Sequence, residues 1–129
     1  MKRRTILALA AVLAAGSCDG GPEAGELTVT LETAQTGVGA VAFAVSTLEP
    51  NTVNGVAAAC SGCQVAAVAV SEREMRGILI GDVSSGGVLH VSVSNIKRPT
   101  HYTVRVLDAA TKEFATLKAS DLILRLPAK

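Results

Sequence analysis

Tryptophan is absent from this 129-residue chain, and Phe43, Tyr102 and Phe114 are its only aromatic residues. Carbohydrate-binding faces stack sugar rings on exposed aromatic platforms, so this composition argues against a carbohydrate partner. Charge of either sign is also scarce, with 12 Lys and Arg against 11 Asp and Glu for a formal net charge of +1. No basic block interrupts that balance, so there is no electrostatic footprint for nucleic acid. What remains is 49% apolar with 18% charged residues, a composition that excludes global disorder. The length suits one domain and is short for two.

Those averages conceal a distinct N-terminal segment. Lys2, Arg3 and Arg4 precede a ten-residue apolar run over residues 6–15. About 20 residues are needed to span a bilayer, so the run reads as the core of a cleavable signal peptide. Ala15-Gly16-Ser17 supplies small residues before a cut, and Cys18 follows at once. These four residues resemble the lipobox of bacterial lipoproteins, similar to Leu-Ala-Gly-Cys. Ala15 stands where leucine is usual, and Ser17 where Gly or Ala is commoner. The resemblance implies a lipoprotein signal peptide over 1–17 that forms a helix, and a diacylglyceryl group on Cys18 as the new N-terminus. Asp19 after such a cysteine resembles the inner-membrane retention signal of some Gram-negative lipoproteins. Residues 18–25 then read as the lipidated cysteine and a flexible, mildly acidic linker, with the folded domain over 26–129. The expected location is exported and anchored to the bacterial cell membrane, on its periplasmic or extracellular face. Loss of Lys2, Arg3 and Arg4 leaves nine basic against eleven acidic side chains, so the charge of the mature chain becomes −2. The anchor would be the lipid rather than electrostatics.

With Cys18 acylated, Cys60 and Cys63 remain as an even pair in an oxidising compartment. They flank Ser61-Gly62, a dipeptide suited to the centre of a β-turn. Such a turn brings its first and fourth residues to within about 7 Å, inside disulfide range. A disulfide staple is therefore expected. Two other uses compete. Thiol–disulfide exchange, as an exported thiol–disulfide protein, needs the pair at the start of a helix, and the Ala-rich residues 64–70 could supply one. A zinc-binding module would have to add His90 and His101, which are eleven residues apart and outside finger spacing. Covalent haem fails because Gln64, not histidine, follows the pair.

The remaining sequence favours strands. Fifteen Val, ten Thr and four Ile give 29 β-branched residues in the 112 after the signal peptide, and 11 glycines punctuate them. Residues 26–33 alternate, with Leu27, Val29 and Leu31 facing inward. Over 40–47, Val41, Phe43 and Val45 share one face and Ala40, Ala42 and Ala44 the other. Weaker strands are expected at 52–59 and 64–70, then a polar hairpin connection at 71–74. Residues 76–80 form a short apolar run suited to a buried strand, and 81–87 read as a loop. Residues 88–94 alternate, with Leu89, Val91 and Val93 opposite His90, Ser92 and Ser94. A basic turn follows at 95–100, then a strand at 101–108 with Tyr102, Val104 and Val106 on one face. A turn at 109–112 and a strand at 113–118 lead to the closing strand at 121–126. Eight or nine short strands at near-regular spacing predict an all-β fold, a single antiparallel β-sandwich of immunoglobulin-like or cohesin-like type.

The run Gly25-Glu-Leu-Thr-Val-Thr-Leu-Glu-Thr33, followed by Gly-Val-Gly-Ala-Val-Ala-Phe-Ala-Val45, resembles the opening strands of cohesin-like and carbohydrate-binding-module-like β-sandwich domains. Residues 77–82 and 86–89 are similar to the middle section of those domains. The layout also resembles small bacterial lipoproteins carrying such a domain. Glu49-Pro50 stands near where those domains carry Asp-Pro. The resemblance covers residues 25–126 and implies a binding fold rather than a reaction.

No catalytic constellation emerges from the residues. Glu72 and Glu74 are two apart in a polar turn, Ser84-Ser85 lack a nucleophile-elbow pattern, and Asp19, Asp82, Asp108 and Asp121 are dispersed. Lys97 and Arg98 form only a local basic turn. The expectation is a membrane-anchored cell-envelope lipoprotein, not an enzyme, without metal or cofactor, acting as a binding or structural interaction module. Its expected partners are the membrane, through lipid on Cys18, and another envelope protein.

Overall fold

The computed structural model describes residues 21–127. The expected signal helix, the expected cleavage site and Cys18 lie outside the described residues. Nine strands follow in order: β1 (Gly25–Thr33), β2 (Val38–Thr47), β3 (Val53–Ala58), β4 (Gln64–Ser71), β5 (Glu74–Val83), β6 (Gly86–Val93), β7 (Tyr102–Thr111), β8 (Thr116–Leu117) and β9 (Leu122–Arg125). Two single 3₁₀ turns, Pro99–His101 and Ala119–Asp121, precede β7 and β9. The strands form a four-stranded sheet, β3-β6-β1-β9, and a five-stranded sheet, β4-β5-β2-β7-β8. Every pairing is antiparallel. The fold is an all-β, two-sheet antiparallel sandwich.

Alternation builds the core where the sequence shows it most clearly. Leu27, Val29 and Leu31 of β1, Leu89, Val91 and Val93 of β6, and Leu122 and Leu124 of β9 are all buried. They meet Val41, Phe43 and Val45 of β2, Leu79 of β5 and Tyr102 of β7 in one apolar cluster. Phe43 and Tyr102 are the only aromatic members of that cluster, so branched aliphatic residues fill most of the space. Gly77 makes room for Phe43. A Cβ there would come within 2.8 Å of the Phe43 ring and 2.7 Å of the Ala66 carbonyl oxygen.

Strict alternation breaks at bulges, where one strand carries an extra residue. The register between β1 and β6 shifts after Val29, so Val88 turns inward next to Leu89 and both are buried. A shift between Val38 and Ala40 of β2 buries Val38 against Val83 of β5. A third, between Ala42 and Phe43, leaves Leu107 of β7 on the surface.

The strands also outrun several expected boundaries. β5 covers ten residues rather than five, and Val83, within the expected loop at 81–87, is core. The connection to β6 contracts to Ser84-Ser85. β7 continues through the expected turn at 109–112, and the expected strand at 113–118 reduces to the two residues of β8. The long ladder to β2 holds β7 extended to Thr111.

Candidate functional site

The Cys60–Cys63 turn joins β3 to β4 and so carries the chain from one sheet to the other. The Cys63 N–H donates to the Cys60 carbonyl at 3.2 Å, closing the turn. The Cα atoms are 5.4 Å apart and the sulfurs 2.06 Å, at disulfide distance. Gly62 takes a φ of +76°, the left-handed conformation that glycine supplies. The Ala59 N–H donates to the Val88 carbonyl at 2.9 Å, and the turn lies over Gly81 of β5. A Cβ at Gly81 would come within 2.9 Å of the Gly62 oxygen. The corner is thus fastened to both sheets. Residues 64–70, which thiol–disulfide exchange would need as a helix, form β4, so no helix dipole acts on the pair.

The remaining polar residues are separated. His90 on β6 shares a hydrogen bond with the Thr28 hydroxyl at 3.3 Å. His101, at the end of the 3₁₀ turn, bonds the Asn51 amide at 3.1 Å, and the Thr47 hydroxyl donates to its carbonyl at 2.9 Å. Asn51 is 4% exposed, a buried polar side chain satisfied by this knot. Glu74 pairs with Arg76 at 2.8 Å, while Glu72 is exposed on the hairpin. Asp82 pairs with Lys112 at 2.8 Å. Asp121 bonds the Gln35 amide at 3.4 Å, and Asp108 accepts from the Ala109 N–H at 2.9 Å. The Lys97 ammonium donates to the Gly21 carbonyl at 3.0 Å. Among the described residues no three His, Cys, Asp or Glu side chains converge to hold a metal ion. No helix among them is long and apolar enough to cross a membrane.

The outer face of the five-stranded sheet has the opposite character. In cross-strand register, Gln64, Ile80, Ala40 and Ala110 form one row, and Ala66, Ile78, Ala42 and Asp108 the next. A third row holds Val68, Arg76, Ala44 and Arg105. Small alanines at the centre and taller Ile78 and Ile80 beside them make shallow apolar hollows rather than a closed cavity. Phe114 closes one end of this face from the β7–β8 turn, where it is 89% exposed at a φ of +69°. Ala44 is buried between the positions of Arg76 and Arg105, whose aliphatic stems can cover a methyl group.

At one side of this face lies β4. Its apolar residues Val68 and Val70 are 65% and 56% exposed. Ala67 and Ala69 point to the inner side, opposite Gly77 and Met75, and are exposed as well. The four-stranded sheet therefore does not extend beneath them, and β4 overhangs the sandwich. Sequence reasoning missed this surface. Residues 78–80 are apolar on both faces, which reads as a buried strand, yet Ile78 and Ile80 are exposed. The available signal was the uncharged stretch Gln64-Val-Ala-Ala-Val-Ala-Val70 beside a second apolar strand.

Comparison of the chain with models of known protein families, with curated proteins and with solved structures finds no match.

Proposed function

We propose that this protein is a non-catalytic interaction module of the bacterial cell envelope, held at the membrane by lipid on Cys18. The observation that carries the interaction role is β4, an uncharged eight-residue edge strand exposed from Ala66 to Ser71, with Val65 packed against the core. Exposed apolar edges of this kind pair with other chains unless they are blunted by charge or proline. The lipobox-like run ending in Cys18 supports the anchoring role. Acyl chains contribute about 0.8 kcal/mol per buried CH₂, so two or three of them hold a protein stably. The Cys60–Cys63 pair is read as an oxidised staple of the β3–β4 corner. A cohesin-like identity is consistent with the nine-strand, two-sheet layout, but the scarcity of aromatics points to a protein partner and not a sugar.

The test is metabolic labelling of the full chain with a clickable fatty acid in a bacterial host. Label in the membrane fraction that disappears, with release of the protein, in Cys18→Ala is the expected result. An unlabelled wild type, or a Cys18→Ala chain that remains labelled and sedimenting, overturns the anchor.

A further inference from the structure

We infer that the partner of β4 is a second copy of this chain, paired antiparallel through β4 across a two-fold axis normal to the sheet. This names the partner for the interaction reading given above and rests on it.

The four sheet edges differ sharply. β8 is two residues long, β9 is four and carries Arg125, and β3 is six with a register shift between Val53 and Gly55. All three are blunted in the ways that protect natural sheets from pairing. β4 is the long edge, uncharged and free of proline; its own register shift falls at its far end, between Ala69 and Ser71, and within the described residues it pairs on one side only, with β5.

Self-pairing is compatible with the chemistry of this strand. A two-fold axis normal to the sheet keeps outer faces on the same side, so outer residues meet outer residues. With the axis at Val68, Val68 of one copy meets Val68 of the other, and Ala66 of each copy meets Val70 of the other. Ala67 and Ala69 meet each other on the inner side. No like charges are brought face to face. The nearest outward charge, Arg76, lies one strand back from Val68 and is paired with Glu74 at 2.8 Å. Across the axis the two arginines would be about 14 Å apart, three strand spacings. That exceeds the screening length of roughly 8 Å at physiological ionic strength. The pairing also covers Ala67 and Ala69, which the chain's own second sheet leaves open. Because each copy has one such edge, the assembly closes as a dimer with a ten-stranded sheet. Confinement to a membrane raises the effective concentration of one copy around another and favours the pair.

The test is cysteine cross-linking of the full chain in its membrane, using Val68→Cys and a short bismaleimide. Its reach covers directly opposed and diagonal partners across a strand pair. Ile123→Cys, exposed on the four-stranded sheet, serves as the control. A cross-linked species of twice the chain mass from Val68→Cys, on the order of tenfold above the control, supports the dimer. Val68→Lys should weaken the dimer by about tenfold or more, since two ammonium groups would meet across the axis. Mixing Val68→Lys with Val68→Glu should restore it, a result that misfolding of either variant would not produce. An adduct of Val68→Cys with a different protein overturns self-pairing and leaves the interaction reading standing. The absence of any adduct overturns both. The Cys18→Ala background separates loss of the anchor from loss of the pair.

Discussion

At the residue scale, the shortage of aromatics makes a few contacts disproportionately important. Phe43 fits because Gly77 has no side chain, so Gly77→Ala should destabilise the protein by about 1–3 kcal/mol through overpacking. Thermal denaturation would read this as a lowered midpoint, and an unchanged midpoint would contradict the packing. Tyr102 is buried and its hydroxyl accepts the Asn95 N–H at 3.2 Å. Tyr102→Phe keeps the ring and should cost about 0.5–1.5 kcal/mol, the net worth of one hydrogen bond. Denaturant titration of the two proteins would measure it. The inward positions of Phe43 and Tyr102 were legible from alternation alone. The complementary absence at Gly77 was not, because a glycine in a strand does not say which neighbour needs the space.

At the element scale, strands with one buried face were the most legible. β1, β9 and, from Leu89 onward, β6 follow period two because every second residue meets the opposite sheet. The bulges were not legible. An extra residue such as Val88 is set by the partner strand's register, which a linear pattern does not contain. The exposure of β4 and of the outer face of β5 was hidden for a related reason, since apolar residues on both faces imply a cover that the described residues do not provide. The Cys60–Cys63 turn was legible from Ser61-Gly62 and the spacing, though its role as a corner between sheets was not. Replacing both cysteines with Ser should cost no more than about 2 kcal/mol, because the closed loop is short. Hydrogen exchange should locate the effect. Protection is expected to fall along β3 and β4 and to remain on β1 and β6. Equal loss across all strands would show that the corner does not act locally.

At the scale of the whole molecule, both sheets contribute to one core, so the described domain should unfold as a unit. The chain has no tryptophan and one tyrosine, so its intrinsic fluorescence reports Tyr102 alone. Tyrosine emission and far-ultraviolet circular dichroism are expected to change together in urea, with a single shared midpoint. Separated midpoints would reveal that the sheets melt independently. The proposed attachment rests on Cys18 and the residues before it, which lie outside the described residues, whereas the way the chain enters the sandwich was not legible in the sequence. Glu23 is clamped through both backbone groups: its N–H donates to the Asn95 side-chain oxygen at 3.3 Å, and its carbonyl accepts the Ile96 N–H at 2.8 Å. From there β1 runs between β6 and β9, hydrogen-bonded on both sides. A pull on the chain ahead of Gly21, directed along β1, loads those ladders in shear. Their bonds lie across the direction of tension and share it, whereas peeling would break them one after another. A load applied along β1 from its N-terminal end is therefore borne by both ladders at once.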